Sequence, residues 1–323
     1  MKMTQDSTHA GACAGIDTGK THLDYALAGG KDAFRARNEI DGRTQLIAFF
    51  QKHGVRRVGI EASGGYEFEI VDELRAAGFE VVVFQPLRVR AWAKFRGRRA
   101  KNDRVDARLI AECAAAQVET RDPPDPRLAP FAEHLTYIDQ ITEDIARAKT
   151  RRDRYREPRL KRQVNDEIKR LKTLKSQEIK LLAKAIRVHA DLARKLDLLE
   201  SVRGIGPPTA IMLVVRMPEL GSISREQAAS LIGAAPFDHD SGRHKGQRRT
   251  GGGRARARTA LFAAAQAAKM WNPALAALYA RLTKAGKAHN VAIIACVRKL
   301  IIYANTVLAR GTPWTKDKEA PAA

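Results

Sequence analysis

The sequence predicts an α/β N-terminal domain followed by a mostly helical remainder, and three features indicate this division. The first part alternates short strand-like apolar runs with helical ones. Residues 121–130, RDPPDPRLAP, contain four prolines, which is typical of a linker or a rigid turn. Beyond them, apolar residues recur at helical spacing. We therefore predict three regions, residues 1–125, 126–197 and 198–323.

The first region begins with three predicted strands in a meander, at residues 12–19, 22–30 and 32–40. The elements expected next are a helix over 42–53, a strand ending at Glu61, a helix ended by Gly78, a strand ended by Pro86, and helices near 87–95 and 103–116. Three meander strands followed by α/β units is the element order of an RNase H-like fold.

The middle region predicts two long, highly charged helices on either side of Pro158. Apolar residues recur at three- and four-residue spacing, at Leu135, Ile138, Ile141, Ile145, Ile168, Leu171, Leu174, Ile179 and Leu182. This pattern favours a helical hairpin or coiled coil. A spacer that packs on its own core and a coiled coil that joins subunits explain it equally well.

The last region contains Gly204-Ile205-Gly206 between two apolar helical stretches. Such a segment is typical of a helix-hairpin-helix element, in which turn amides at Gly204 and Gly206 bind a phosphate of a nucleic-acid backbone. An ordinary tight turn between helices is the alternative. Helices are expected to dominate the chain from there to about residue 310.

The charge balance of the chain indicates a polyanionic partner. The 323 residues include 58 Lys and Arg against 36 Asp and Glu, which gives a formal net charge of +22. Nucleic acid is the expected partner, and a merely soluble basic protein or an anionic-membrane binder is the alternative. We find no signal peptide and no apolar run that approaches the length of a bilayer span, so we expect no membrane association.

The three cysteines, Cys13, Cys113 and Cys296, lie far apart and form no CxxC pair. This spacing argues against a zinc ribbon or a disulfide framework and fits a reducing cytoplasm.

The segment GIDTGKT, residues 15–21, resembles a nucleotide-binding loop only in part. A P-loop would place glycine at position 14, where the chain has Ala14, and would continue as a helix, whereas the next segment is strand-like. The phosphate loop of sugar kinases and actin-like ATPases fits the strand better, but the further motifs of that fold are missing.

Four carboxylates form a candidate metal site. Asp17 and Glu61 end the first and fourth predicted strands, which are neighbours in an RNase H-like sheet. Asp103 and Asp106 lie three residues apart on a predicted helix, and this spacing puts them on one face. Such a set can hold two divalent ions about 4 Å apart for phosphoryl transfer, and hard oxygen ligands favour Mg²⁺ or Mn²⁺.

Three other acids compete for this assignment and are interpreted structurally. Asp24 is expected on the polar face of the second strand. Glu67 and Glu69 fall in the first turns of a helix, where acids interact favourably with the helix dipole.

Two basic segments are expected to bind nucleic-acid phosphates. The first surrounds the candidate metal site and consists of Arg88, Arg90, Lys94, Arg96, Arg98, Arg99, Lys101 and Arg104. Trp92 and Phe95 lie among these cations, where core packing is favoured over stacking on bases. The second segment follows Ser241 and provides Arg243, Lys245, Arg248, Arg249 and Arg254. Its glycines let the backbone approach a phosphate closely.

Ser241 has no triad partner in the sequence, because the adjacent His239 and Asp240 would not face it in triad geometry. An activated serine here would need a metal ion or nearby cations to lower its pKa.

Taken in order, six segments resemble the DEDD transposases of bacterial insertion sequences. This family includes bridge-RNA-guided recombinases and Piv-type DNA invertases. The segments are GIDTGKTHLD, GIEASGGYE, KNDRVDARLIAE, VRGIGPPTA, LIGAAPFDHDSGRHKGQRRTGGGRARARTALF and CVRKLIIYANTVL. The resemblance implies a RuvC-like N-terminal domain with Asp17, Glu61, Asp103 and Asp106 as metal ligands, a coiled-coil middle and a C-terminal transposase domain.

The resemblance also implies a mechanism and partners. Ser241 matches the family's nucleophilic serine, which forms a phosphoserine intermediate before strands exchange through a Holliday-type junction. A noncoding bridge RNA would select donor and target DNA, and the protein would be a homodimer or tetramer at the bacterial nucleoid. Two departures are Ala234-Ala235-Pro236 and the run of three glycines after Thr250; the run leaves the details of that loop open.

Other functions remain open from the residues alone. In a RuvC-like junction nuclease, water would attack and Ser241 would be structural. In a non-catalytic nucleic-acid scaffold, the acids would only cap helices. An actin-like ATPase is the third alternative.

Overall fold

A computed structural model describes residues 13–97, 103–117, 125–237 and 249–314, with the backbone alone at 103–105, 237 and 249. The chain divides into two compact units, Met1–Pro123 and Pro124–Ala323. The first unit is a mixed α/β domain, and the second is almost entirely helical.

The first unit contains the nine elements in the order that the sequence predicts. They are β1 (Cys13–Thr18), β2 (His22–Leu27), β3 (Ala33–Arg37), α1 (Ile40–Lys52), β4 (Arg57–Glu61), α2 (Phe68–Ala76), β5 (Glu80–Phe84), α3 (Pro86–Phe95) and α4 (Asp103–Ala115). The five strands form one sheet in the order β3-β2-β1-β4-β5. The meander β1-β2-β3 is antiparallel, whereas β4 and β5 continue the sheet parallel to β1.

The two faces of this sheet have different partners, because successive side chains of a strand point to opposite faces. Ile16 of β1 and Ile60 of β4 are fully buried in a core with Leu46 and Phe50 of α1 and Leu74 of α2. The opposite face of the sheet packs against α4. The sheet is therefore covered on both sides.

Two glycines let α4 lie directly on the sheet. Gly15 of β1 pairs with Gly59 of β4. A Cβ atom at Gly15 would lie 2.2 Å from the amide nitrogen of Ala111 and 2.3 Å from the carbonyl oxygen of Ala107, both in the backbone of α4. A Cβ atom at Gly59 would lie 2.9 Å from the Cβ of Ala114. The backbone of α4 thus occupies the space that a side chain at Gly15 would fill, and a side chain at Gly59 would meet the side chains of Ala114 and Phe84.

The second unit consists of eight helices and one short hairpin within its described residues. The elements are α5 (Leu128–Arg154), α6 (Pro158–Arg187), α7 (Ala190–Glu200), α8 (Pro207–Arg216), α9 (Arg225–Leu231), β6 (Pro236–Phe237), β7 (Arg249–Thr250), α10 (Ala255–Trp271), α11 (Pro273–Lys284) and α12 (His289–Arg310). The two-residue strands β6 and β7 pair antiparallel. The sequence does not predict them, because two residues cannot show a period.

Helices α5 and α6 pack side by side as an antiparallel hairpin. Pro158 is the first residue of α6, and the Glu157 carboxylate accepts hydrogen bonds from the amides of Arg159 and Leu160. The proline therefore starts the second helix, as expected of a residue that lacks a backbone donor. One end of the hairpin joins the main core of the unit through residues such as Leu135 and Leu182. The other end has its own apolar cluster, formed by Ile141, Ile145, Ala148, Val164 and Ile168.

Helix α12 is the core helix of this unit. Its 22 residues are long and apolar enough to cross a bilayer, so the expectation that no run approaches that length was wrong. Ten of its residues are buried, including Ile293, Val297 and Leu300. Helices α7, α9, α10 and α11 pack around it. The apolar sequence of α12 is thus explained by its burial inside the protein.

Replacing Gly15 with alanine should destabilise the first unit by at least about 1–3 kcal/mol, because the new methyl group would overlap the backbone of α4. Urea unfolding followed by hydrogen exchange of peptides from α4 measures this loss. Gly251→Ala is the control, because nothing lies within 4 Å of a Cβ atom at that position. Equal stability of the two variants would contradict the packing of α4 on Gly15.

Candidate active site

Two of the predicted acidic residues lie side by side on the sheet. The parallel pairing of Gly15 with Gly59 and of Ile16 with Ile60 places Asp17 and Glu61 at the next positions of neighbouring strands. Because side chains alternate, both acids share the sheet face of the two glycines, which is the face covered by α4. Both residues are half-buried.

The other two acids begin α4. Asp103 is the first residue of the helix, and Asp106 directly precedes Ala107, whose carbonyl oxygen would lie 2.3 Å from a Cβ atom at Gly15. Asp106 is half-buried, and the three-residue spacing places Asp103 on the same side of the helix. The side chain of Asp103 lies outside the described atoms. Among the described side chains, no three His, Cys, Asp or Glu residues are grouped closely enough to hold a metal ion.

A fifth carboxylate lies directly beside Asp17. Asp24 of β2 pairs with Asp17 in the antiparallel register. Asp24 is 1 % exposed, so it does not lie on a solvated strand face as expected. The Arg35 guanidinium donates two hydrogen bonds to it, of 2.9 and 2.8 Å, and His22 Nε2 lies 3.6 Å from its Oδ2. The bidentate pair offsets the charge that Asp24 would otherwise add beside Asp17.

Asn38 joins the two loops that follow the strand acids. Its side-chain amide donates to the carbonyl oxygen of Gly19, in the turn after β1, at 3.0 Å. The same nitrogen donates to the carbonyl oxygen of Tyr66, in the loop after β4, at 3.2 Å. Gly19 also donates to the carbonyl oxygen of His22 at 2.9 Å, which closes a turn between two strands. The Gly-Lys-Thr segment is therefore a hairpin turn, as the absence of a P-loop pattern predicts.

A buried arginine binds Asn38 and two acids of α2, and the sequence does not predict these contacts. Arg43 of α1 is 5 % exposed. It lies 2.8 Å from the carboxylates of both Glu69 and Glu73 on α2 and donates to Asn38 at 3.4 Å. Glu69 lies in the first turn of α2, as predicted, and it also pairs with Arg43.

Glu67 holds the loop that follows Glu61. Its carboxylate accepts hydrogen bonds from the Ser63 hydroxyl at 2.6 Å, the Ser63 amide at 3.2 Å and the Gly65 amide at 2.8 Å. Burial raises the pKa of this carboxyl, but these hydrogen bonds outweigh burial and the pKa lies below its ordinary value. Glu67 is thus a structural anion, and its position at the start of α2 agrees with the prediction.

Ser241 falls in the sequence between the two short strands β6 and β7. Residues 238–248, with Ser241, Arg243, Lys245 and Arg248, lie outside the described part of the chain. Phe237 and Arg249, on either side of it, pair in the β6–β7 hairpin. A Cβ atom at Gly253, whose φ is +65°, would lie 2.3 Å from the Gly233 amide nitrogen. The third glycine of the run is therefore required for this close approach.

Models of known protein families match two successive parts of the chain. A family model for transposases of the DEDD type from IS110 elements matches residues 14–155, which include the carboxylate-bearing strands and α4. A second model, described as the IS116/IS110/IS902 transposase family, matches residues 196–280. The chain belongs to the IS110 family of transposases.

Two relatives of this IS110-family chain are pilin gene-inverting proteins, from Moraxella bovis and Moraxella lacunata. Each is 27% identical to it over 293 residues, which cover 86% of this chain and 89% of the relative. Family membership implies a DNA-cleaving recombinase that acts on DNA.

In the first basic segment of this transposase, some described cations bind other residues of the protein and others do not. Arg88 donates to Gln117 and lies over the Phe84 ring, and Arg96 lies 3.3 Å from the Glu112 carboxylate. Arg90 and Lys94 are exposed on α3 and have no ion-pair partner among the described residues. Arg98, Arg99 and Lys101 lie outside the described residues, and only the backbone of Arg104 is described.

The two aromatic residues among these cations differ in their surroundings. Trp92 packs against the small core formed by α3 and α4, as favoured from the sequence. Phe95 is 78 % exposed, so it does not pack in the core. Its ring lies 5.4 Å from that of Trp92.

The turn between α7 and α8 contains Gly204 and Gly206, for which the sequence leaves a helix-hairpin-helix element and an ordinary tight turn as alternatives. Gly204 has a φ of +108°, and a Cβ atom there would lie 2.3 Å from the Cβ of Ala268 on α10. Ile205 between the glycines is buried, whereas Gly206 is exposed. Gly204 is thus needed for tight packing, and Gly206 presents backbone at the surface of the unit.

Arg254 was predicted to bind phosphate, but its guanidinium is bound within the protein. It donates to both carboxylate oxygens of Glu219 and, at 2.8 Å, to the carbonyl oxygen of Arg216 at the end of α8. Pairing with Glu219 neutralises its charge, so the side chain holds the start of α10 to the end of α8. The backbone of Arg249 lies in β7, and its side chain is outside the described atoms.

The variant Glu67→Gln should lose about 1–3 kcal/mol of stability at neutral pH, because a buried charged acceptor of three hydrogen bonds is removed. The folded pKa is lower than its ordinary value of 4.5, so this stabilisation exists above that pH and is lost as the pH falls below it. The difference between wild type and variant should therefore shrink in acid.

Hydrogen exchange of the 57–76 region in urea at neutral and acidic pH measures this difference. Glu39→Gln serves as the control, because among the described residues the Glu39 side chain makes only an exposed ion pair, with Arg37. A stability difference between wild type and Glu67→Gln that does not change with pH would contradict the anionic role of Glu67.

Proposed function

We propose that this chain is a metal-dependent DNA recombinase of an insertion sequence, with a RuvC-like catalytic domain and a serine nucleophile. One observation carries the proposal. Asp17 and Glu61 end neighbouring parallel strands on the face where α4, which begins with Asp103 and Asp106, packs on Gly15 and Gly59.

The sheet topology supports the RuvC-like, or RNase H-like, assignment of the first unit. Its strand order is β3-β2-β1-β4-β5, with an antiparallel meander that continues into parallel strands. Active-site carboxylates in such a sheet come from the central strands and from a later helix that crosses them. Here the central strands β1 and β4 carry Asp17 and Glu61.

The chemistry of the four acids fits Mg²⁺ or Mn²⁺. All are carboxylates, which are the hard oxygen donors that these ions prefer. A pair of such ions, when bound, would activate the attacking oxygen and stabilise the leaving oxygen of a phosphodiester. The protein's own contribution is a rigid frame: the glycine contacts fix α4, and Arg35 neutralises Asp24 so that it does not compete with Asp17 for the ions.

Ser241 is proposed to attack the phosphodiester. A bond forms between its Oγ and phosphorus, the strand's P–O bond breaks, and the displaced oxygen leaves as a hydroxyl. The phosphoserine preserves the energy of the broken bond for rejoining to another strand, through a Holliday-type junction. The hairpin β6–β7 and the Gly233–Gly253 contact support this role, because they give the segment that contains Ser241 a fixed base.

The proposed partners are donor and target DNA and a noncoding bridge RNA that selects them, in the bacterial cytoplasm at the nucleoid. The net charge of +22 and the exposed Arg90 and Lys94 support a nucleic-acid partner. We also propose a homodimer or tetramer in which the carboxylate site and Ser241 act on the same junction. The pilin gene-inverting relatives carry a name that implies rearrangement of a gene, and this also supports strand exchange.

Neutralising one acid should abolish strand cleavage while the protein stays folded. Asp17→Asn, Glu61→Gln and Asp106→Asn should each lower the cleavage rate of element-end DNA in Mg²⁺ by at least about a hundredfold, because each removes a carboxylate that is proposed to hold the catalytic ions. Asp72→Asn is the control, because that side chain is 82% exposed on α2. Normal cleavage by all three variants would contradict a catalytic metal site formed by these acids.

The variant Ser241→Ala should form no covalent protein–DNA adduct and should still bind DNA. Denaturing electrophoresis of a labelled synthetic junction after reaction measures the adduct. Ser176→Ala, an exposed serine of α6, is the control and should form the adduct normally. Continued cleavage by Ser241→Ala without an adduct would identify a hydrolytic junction nuclease instead.

A further inference from the structure

The α5–α6 hairpin carries a large excess of positive charge. Residues 147–184 include fifteen Lys or Arg and five Asp or Glu. These cations lie far along the sequence from the acids of the proposed active site and from Ser241. The proposed reaction assigns no role to them.

The charge is concentrated on one face of α6. Its buried residues, Val164, Ile168, Leu182 and Ile186, all face the partner helix or the core. The opposite side exposes Arg162, Lys169, Arg170, Lys180 and Lys184. Helical geometry places Asp166 among them as the one acid on that face.

Most of these cations are not neutralised within the protein. Some cations near the tip do form ion pairs, as Arg147 does with Asp144 at 2.9 Å and Arg151 with Glu167 at 2.5 Å. In contrast, the five cations on the outer face of α6 have no ion-pair partner among the described residues, nor does Arg154 at the tip. Like charges held along one helix repel each other unless an anion binds.

Two open grooves lie on the same hairpin. One, of about 600 Å³, is lined by Arg147, Thr150, Arg151, Arg154 and Tyr155 at the tip of the hairpin. The other, of about 550 Å³, is lined in part by Lys169, Arg170 and Leu171 of α6. The first groove thus combines guanidinium groups with two hydroxyl groups, which suits the oxygens of a phosphate. The second groove places Lys169 and Arg170 beside one acid, Asp166.

The shape and composition of the surface favour a duplex. Helix α6 has 30 residues, so it is a rod of about 45 Å, long enough to follow many phosphates of a double helix. Binding of single strands depends on aromatic side chains that stack on bases. Between residues 147 and 184 the one aromatic residue is Tyr155, which is half-buried.

We propose that the outer face of the α5–α6 hairpin binds the phosphate backbone of duplex DNA without reading its sequence. The choice of DNA rests on the family's action on DNA, and neither the metal site nor Ser241 enters the argument. The hairpin thus binds DNA in addition to its structural role.

The test compares two matched triple variants of the full chain. Arg162→Gln, Lys169→Gln and Lys180→Gln together remove three cations from the outer face of α6. Arg281→Gln, Lys284→Gln and Lys287→Gln remove the same residue types from an exposed region at the end of α11, where none has an ion-pair partner among the described residues. Circular dichroism verifies that both variants are folded.

The dissociation constant for a mixed-sequence DNA duplex is then measured over a range of salt concentrations. The α6 variant should bind at least about tenfold more weakly at about 0.1 M salt, and its slope of log K against log salt should fall by up to about 2.7, which is 0.9 for each lost phosphate contact. The α11 variant should bind as the wild type does.

Other outcomes would overturn the proposal. Equal affinity and equal salt slope for the two variants would show that the hairpin does not hold DNA. A loss confined to duplex RNA, or to vesicles of phosphatidylcholine and phosphatidylserine, would assign the surface to that partner instead. Adduct formation on saturating DNA should persist in the α6 variant, so failure of the hairpin proposal is distinguishable from failure of the proposed reaction.

Discussion

The close contact between α4 and two glycines of the sheet is the constraint on which the catalytic unit depends. Gly15 and Gly59 pair on β1 and β4, and α4 lies so close to both that a side chain at either position would overlap it. Because each glycine precedes an acid by two residues, the same strand face that receives the helix also presents Asp17 and Glu61. The same sequence pattern, a glycine two residues before an acid, therefore allows α4 to pack on the sheet and positions the acids of the proposed site.

The charges of the molecule fall into two groups with different roles. Arg35, Arg43 and Arg254 each bind carboxylates within the protein and fix the elements that carry them. Arg90, Lys94 and the outer cations of α6 are exposed without such partners among the described residues. Only cations of the second group keep their full charge for an external polyanion. The amino-acid composition alone does not distinguish these two groups of cations.

Much of the fold could be predicted from the sequence, because helices and strands are indicated by patterns among residues close together in the chain. Periodicity identified every strand of the sheet and the two hairpin helices, and the proline at 158 marked the start of α6. The placement of Asp17, Glu61 and α4 followed from element order and the resemblance to a known family. Long-range pairing was not predictable: Arg43 lies 30 residues from Glu73, and Arg254 lies 35 from Glu219. The apolar sequence of α12 likewise shows its burial only once its neighbours are known.

The central claim is that Asp17, Glu61 and the start of α4 form one binding site for divalent ions. Replacing Mg²⁺ with Fe²⁺ and adding ascorbate and peroxide tests it directly, because hydroxyl radicals cut the backbone near the bound ion. The account predicts cuts near residues 17, 61 and 103–106 in the same molecules, and none of them in Asp17→Asn. Cuts that miss any one of these segments, or that persist in Asp17→Asn, would contradict a shared metal site.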